Sequence, residues 1–316
     1  MGSKLAAERL SGVWSAAPTP FTDRMKVDTV AVRRMVEHHL RLGVKGLFLA
    51  GTNGEGPWIT DEHLHVLVST VARCAKARLP IAVQVTDNSA ARILDNIRAA
   101  KRNGADIAVI APPYFQFPLL VGRTLRLYQE AIRKSPLPVG IYDRPGPNGF
   151  AVSNADLAKI YAEKRVILVK DSSSDPGRRK IALAARRKRP ALRLLNGNEW
   201  QCDVYMKAGY DGLLLGGGVF NGYLANMLVA AATAGDFALV ERLQKRLTRI
   251  MFAVYGGKKL TCWLSGEKKL LVEMGIFRTW KNFPDYPLTA SCVKAIAHVL
   301  ERDVDVLMPP KGKGHA

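Results

Sequence analysis

The sequence predicts an α/β protein, a closed (β/α)8 barrel of the TIM type followed by a C-terminal helical subdomain. Three observations predict it. Short apolar runs without alternation recur eight times, the pattern of strands buried on both faces of a parallel sheet. Segments with helical apolar spacing separate them, so successive strands are joined by right-handed crossovers. All eight repeats fit within residues 10–222, and eight is the strand number that closes into a barrel.

The first strand is read at 13–17, with Pro18-Thr19-Pro20-Phe21 as its loop. Asp28 then offers an N-cap to a helix with an apolar stripe of Val32, Met35, Val36 and Leu40, which Gly43 ends. A strand at 46–50 leads to a helix over 60–76, a strand at 81–85, a helix over 89–102 stopped by Gly104, and a strand at 107–110. A helix near 121–133 precedes a strand at 139–142, and a helix over 154–163 precedes the strand at 166–169 that ends on Lys170. A helix over 178–187, a strand at 192–195, a short helix over 201–208 and a strand at 212–215 complete the series. From 223 to 307 the chain reads as helical, including 239–254 and 269–275, and 308–316 reads as a disordered basic tail. A doubly wound open sheet is the alternative, but it needs a glycine-rich dinucleotide turn after the first strand, and Pro18-Thr19-Pro20-Phe21 is not one.

Composition narrows the function classes. With 48% hydrophobic and 23% charged residues, and no uninterrupted apolar run near the ~20 residues of a membrane span, the chain reads as an ordinary soluble protein with no membrane partner. The N-terminus lacks an apolar signal core, so the cytoplasm is the expected location. Cys74, Cys202, Cys262 and Cys292 are scattered, without a CxxC pair, and read as inert buried thiols. The net charge of +20 invites an anionic partner, yet runs such as Arg186-Arg187-Lys188-Arg189 fall on a helix face, and no zinc-finger or RNA-binding signature accompanies them. Nucleic acid is therefore the less favoured partner.

Lys170 is the residue that suggests chemistry. An ammonium at the mouth of a buried strand is desolvated, which favours the neutral amine and frees a nucleophile for attack on a carbonyl. Two further strand ends lie on the same face. After the second strand comes Gly51-Thr52-Asn53-Gly54-Glu55-Gly56, where the Thr52 hydroxyl and local N–H groups suit a carboxylate. The fifth strand ends on Tyr142, whose phenol can donate and accept a proton. Taken alone, each has a structural reading as a snorkelling lysine, a turn and a core tyrosine. Their convergence on one rim favours a site.

These motifs, with Pro145, Lys170-Asp171-Ser172-Ser173 and Asn196-Gly197-Asn198-Glu199, resemble the ordered motifs of the dihydrodipicolinate synthase/N-acetylneuraminate lyase family, class I Schiff-base aldolases. The resemblance runs from about residue 10 to 300. It implies a lyase in which Lys170 forms a Schiff base with C2 of pyruvate or another 2-oxo acid. It also implies that Thr52 and Asn53 hold the carboxylate and Tyr142 relays protons. No cofactor or metal is implied, because the imine serves as electron sink. A homotetramer or dimer is the implied assembly.

Departures bear on the substrate. Where synthase members carry two tyrosines after the fourth strand, this chain has Tyr114-Phe115, and their arginine five residues beyond the tyrosine is Pro147 here. Arg144 stands two residues after Tyr142 instead and could fork around an anionic group, or pair with Asp143, Glu199 or a neighbouring subunit. Glu199 suits substrate hydroxyls, and Gly216-Gly217-Gly218, Gly217 among them, would let an extended substrate approach the backbone. The expected activity is cleavage or condensation of a 2-oxo acid with an aldehyde, on a hydroxylated or anionic 2-keto-3-deoxy sugar-acid-like substrate. The alternatives are the lysine-pathway synthase, 4-hydroxy-tetrahydrodipicolinate synthase, a 2-keto-3-deoxy sugar acid dehydratase, and a non-catalytic barrel that binds an acidic ligand or nucleic acid.

Overall fold

Eight parallel strands pair in chain order, and the last returns to the first to close the barrel. They are β1 (Gly12–Ala16), β2 (Gly46–Leu49), β3 (Ile81–Gln84), β4 (Ile107–Ile110), β5 (Val139–Asp143), β6 (Val166–Asp171), β7 (Arg193–Asn196) and β8 (Gly212–Leu215). The helices that follow each strand are α1 (Thr29–Leu42), α2 (Asp61–Ala75), α3 (Ala90–Arg102), α4 (Arg123–Lys134), α5 (Asn154–Ala162), α6 (Pro176–Lys188), α7 (Cys202–Lys207) and α8 (Gly218–Thr233). Then come α9 (Phe237–Val254), α10 (Trp263–Glu273), α11 (Ala290–Arg302) and the short α12 (Val304–Leu307). This computed structural model describes residues 5–114, 122–144 and 152–310.

Why the strands read as continuous apolar runs is now plain. Trp14, Phe48, Ala82, Val109, Leu168, Leu195 and Leu214 fill the barrel interior, while their neighbours Val13, Leu47, Val83, Ile110, Val169, Leu194 and Leu213 pack outward under the helices. Both faces exclude water. Closure requires a glycine, since a Cβ at Gly212 would stand 2.0 Å from the Gly12 carbonyl oxygen of β1. Helix starts follow the sequence signals: the Asp28 side chain accepts from the backbone N–H groups of Val30 and Ala31, and Gly43 takes the left-handed conformation that ends α1.

The structure amends several boundaries. β7 lies one residue later than expected, because Asn196 pairs with Asp171 of β6 and Leu213 of β8. A 3-10 turn, Ala7–Leu10, precedes β1 and places Leu10 with the inward-facing residues of the barrel. The helical stretch expected from 223 to 307 is interrupted between Val254 and Trp263 and between Glu273 and Ala290, where Gly256, Gly257 and Gly275 adopt positive φ. The border drawn at 222/223 falls inside α8, which packs on β1, α1 and α9 together. The expected tail is described only to residue 310, and Phe115, Pro145 and Pro147 also lie outside the described residues. Among the described residues no helix is long and apolar enough to cross a membrane.

Two adjacent histidines of α1 are buried under the barrel's outer layer. The His39 Nδ1–H donates to the Met35 carbonyl at 2.8 Å, so its Nε2 accepts from the Ser15 hydroxyl at 2.9 Å, and the His38 Nε2–H donates to the Val219 carbonyl at 2.9 Å. Burial holds His38 down at about 4 and His39 at about 3. Both pKa values lie below the unfolded value, so their stabilising contribution is present above pH ~6.5 and is lost as the pH falls toward 4. The expected loss is roughly 1.4 kcal/mol per pH unit for each histidine. Urea unfolding at pH 7.5 and pH 5.0 should show it, and His38→Gln, which keeps a donor to Val219, should remove about half of the slope.

Candidate active site

Tyr142 and Lys170 are register partners at the ends of β5 and β6. Their side chains point into the barrel mouth because the next residue on each strand points outward and is anchored there. Asp143 takes a forked ion pair from Arg178 of α6, with nitrogens at 2.6 to 3.1 Å, and accepts from the Tyr161 hydroxyl at 3.3 Å. Asp171 accepts from the Tyr210 hydroxyl at 2.6 Å and the Ser173 N–H at 2.9 Å. With period-2 alternation, these outward carboxylates fix the inward pair.

Lys170 is only 6% exposed, and its Nζ lies 4.3 Å from the centroid of the Tyr142 ring and 5.0 Å from that of Phe48. Burial lowers its pKa, more than the neighbouring Tyr142 and Glu199 raise it. For Tyr142 burial acts upward, but the Lys170 and Arg144 charges and the nearby Thr52 and Ser172 hydroxyls outweigh it, and the phenol titrates below its ordinary value. Both groups are therefore biased toward their deprotonated forms, the amine toward a neutral nucleophile and the phenol toward a proton acceptor.

The loop after β2 brings Thr52 and Asn53 to the same mouth. Its tight path depends on Gly56, where a Cβ would stand 1.7 Å from the Ala50 carbonyl oxygen. Glu55, at φ +62°, turns away from the cavity into a fully buried ion pair with Lys268 of α10 and accepts from the Phe283 N–H at 2.7 Å. Arg144 donates to the Thr52 hydroxyl at 2.7 Å and so forms neither of the pairs with Asp143 or Glu199 that the sequence allowed. Glu199, whose carboxyl burial pushes up, accepts from the Gly217 N–H at 2.7 Å and the Tyr255 hydroxyl at 3.0 Å.

These side chains surround a cavity of about 280 Å³. Thr52, Asn53, Tyr142, Arg144, Lys170 and Glu199 line it, and two side-chain placements differ from the sequence expectation. In Gly216-Gly217-Gly218 the cavity wall is Gly216, while the Gly217 N–H donates to Glu199. The Asn53 amide nitrogen is turned away from the cavity, donating to the carbonyls of Ala16 at 2.9 Å and Gly216 at 3.2 Å and to Glu267 at 3.1 Å. Only its backbone N–H and its amide oxygen remain for a ligand. Tyr255 and Leu260, from the segment joining α9 to α10, and Trp263, the first residue of α10, also line the wall, and sequence reasoning missed them. Their one signal was Gly256-Gly257 directly after a helix.

Residues 9–292 match the model of the dihydrodipicolinate synthetase family. The chain belongs to that family. A 4-hydroxy-tetrahydrodipicolinate synthase of Rhodopseudomonas palustris (strain BisA53) is 26% identical over 292 residues, covering 92% of this chain and 96% of that protein. One of Phenylobacterium zucineum (strain HLK1) is 30% identical over 257 residues, covering 77% and 82%. Among solved structures, the dihydrodipicolinate synthase of Bacteroides thetaiotaomicron superimposes with a TM-score of 0.84 at 28% identity, over 92% of this chain and 98% of that one. YagE, a prophage protein of E. coli K12 solved in complex with pyruvate, shares the fold with a TM-score of 0.83 at 19% identity, over 94% and 99%.

The anchoring of the synthetase-family rim is open to measurement. Arg178→Met should leave Asp143 buried without its cation and cost roughly 3–5 kcal/mol of stability. A urea midpoint shifted by less than a quarter of the corresponding amount would contradict the anchoring role.

Proposed function

We propose that this protein is a pyruvate-dependent class I lyase that makes or breaks the carbon-carbon bond between a 2-oxo acid and an aldehyde through an imine on Lys170. The observation that carries the reading is the desolvated Lys170 amine beside the Tyr142 ring inside the cavity. Its lowered pKa enlarges the neutral fraction that can attack C2 of pyruvate. The resulting carbinolamine loses water to give the imine, and Tyr142 passes the protons between nitrogen and oxygen. Loss of a proton from C3 then gives an enamine that adds to the aldehyde; the reverse sequence cleaves a 4-hydroxy-2-oxo acid. No step calls on a cofactor or metal, since the imine nitrogen takes up the electrons.

The backbone N–H groups of Thr52 and Asn53, which donate to no carbonyl among the described residues, would receive the pyruvate carboxylate, with the Arg144 guanidinium beside Thr52 adding charge. Glu199 would accept a hydroxyl of the second substrate, and Gly217 would hold Glu199 in place. A 2-keto-3-deoxy sugar acid fits this reading. The names of the relatives favour a second one, 4-hydroxy-tetrahydrodipicolinate synthase, against which stand Phe115 and Pro147 at positions where such synthases carry a phenol and an arginine. A soluble cytoplasmic homotetramer or dimer completes the proposal.

Borohydride with pyruvate should add a reduced pyruvyl group to Lys170, and Lys170→Ala should abolish it; an unmodified lysine at saturating pyruvate refutes the reading. Tyr142→Phe should lower kcat by about 10²- to 10⁴-fold. Screening 2-keto-3-deoxy sugar acids for pyruvate release, beside aspartate semialdehyde condensation, separates the two substrate readings, with Arg144→Ala expected to raise KM. A concentration-independent monomer in sedimentation would exclude the oligomer.

A further inference from the structure

The net charge of +20 is unevenly placed. In a closed parallel barrel every turn that leads from a helix into the next strand lies at one end, opposite the mouth. Seven such turns connect α1 to β8, each running from the last four residues of its helix to the residue before the strand. Together these fifty-five residues hold seventeen lysines and arginines and three carboxylates, and so carry fourteen of the twenty surplus charges. Cations that the sequence scatters are gathered by the fold.

The three carboxylates are already engaged. Asp106 accepts from the Ile81 N–H at 2.8 Å, Glu163 takes Arg133 nitrogens at 2.7 and 3.2 Å, and Asp211 pairs with Arg186 and accepts from the Leu194 N–H at 2.9 Å. Lys76, Lys101, Arg102, Lys164, Arg165 and Arg187, by contrast, are exposed and form no ion pair among the described residues. Between α4 and α5 the surface sinks into a recess of about 460 Å³, where Arg133, Lys159, Lys164 and Arg165 surround the single carboxylate of Glu163. Helix dipoles favour cations within the last turn of each helix, yet Lys45, Arg78, Lys164 and Arg165 lie beyond their helices' ends. Such a surplus repels itself, and a bound polyanion relieves it.

We propose that the face of the barrel opposite the mouth docks a nucleic-acid duplex by its phosphates. Among the described residues these turns offer no exposed aromatic side chain on which a base could stack, and only Val204 as an exposed large apolar group to enter a bilayer. What they do offer is guanidinium forks and ammonium groups around a ring, which suit a duplex carrying one charge per ~1.7 Å of its axis. Contacts of this kind position the protein without reading sequence. The docking stands apart from the imine reading, and it leaves the cavity around Lys170 open at the other end.

Fluorescence anisotropy with a labelled duplex of about 30 base pairs should show an affinity that falls roughly 10³-fold between 50 and 200 mM salt, as about six phosphate contacts require. Lys76→Glu, Arg102→Glu, Lys164→Glu and Arg187→Glu combined should weaken binding by at least about 10²-fold and flatten the salt dependence. The same four positions changed to Gln provide a milder set if the first fails to fold, as urea midpoints will show. Arg33→Glu, Arg126→Glu, Lys245→Glu and Lys294→Glu combined change the net charge equally outside these turns, and should cost less than about tenfold. Equal losses in the two sets, or an affinity indifferent to salt, overturn the docking face. Vesicles rich in phosphatidylserine should bind more weakly than the duplex at equal salt, and vesicle binding without duplex binding overturns the choice of nucleic acid.

Discussion

The constraint on which this structure depends is the alternation of side chains at the ends of β5 and β6. A strand cannot turn one residue without turning its neighbours. Asp143 and Asp171 face the helix layer, and each finds strong donors there: the Arg178 fork for one, the Tyr210 hydroxyl and a backbone N–H for the other. Their partners in the chain, Tyr142 and Lys170, consequently face inward with no freedom to exchange sides. A lysine would otherwise reach water with its long stem, and here the barrel prevents it. The cost of keeping that amine dry lowers its pKa and so enlarges its nucleophilic, neutral fraction.

Much of this was legible in the sequence, for identifiable reasons. The barrel showed itself because strands buried on both faces lose their alternation and because helix caps such as Asp28 and Gly43 are local devices, readable over three or four residues. Lys170, Tyr142, Thr52 and Glu199 could be placed on one rim because the fold class puts all strand ends together. What stayed hidden depends on contacts distant in sequence. The direction of the Asn53 amide is decided by Ala16, Gly216 and Glu267, residues 37, 163 and 214 positions away. Tyr255 and Leu260 enter the wall through a break between helices that apolar periodicity ran straight across. Arg144 likewise chose Thr52, 92 residues away, over the carboxylates nearer in the chain.

The helices beyond the barrel are part of the site as well as a cover for it. Tyr255 holds Glu199, Glu267 holds Asn53, and Lys268 holds Glu55. Electrostatics explains why such pairings are buried so deeply. A carboxylate or ammonium taken out of water must be met by its complement, and removing either partner leaves an uncompensated charge.

The ion pair between Glu55 and Lys268 joins residues 213 positions apart. On the ribosome, the turn carrying Thr52 and Asn53 emerges early, while the ammonium that neutralises its buried glutamate arrives only after most of the polypeptide has been made. A nascent barrel with all eight strands already synthesised would therefore still lack the cation that meets the buried Glu55 carboxylate at its mouth.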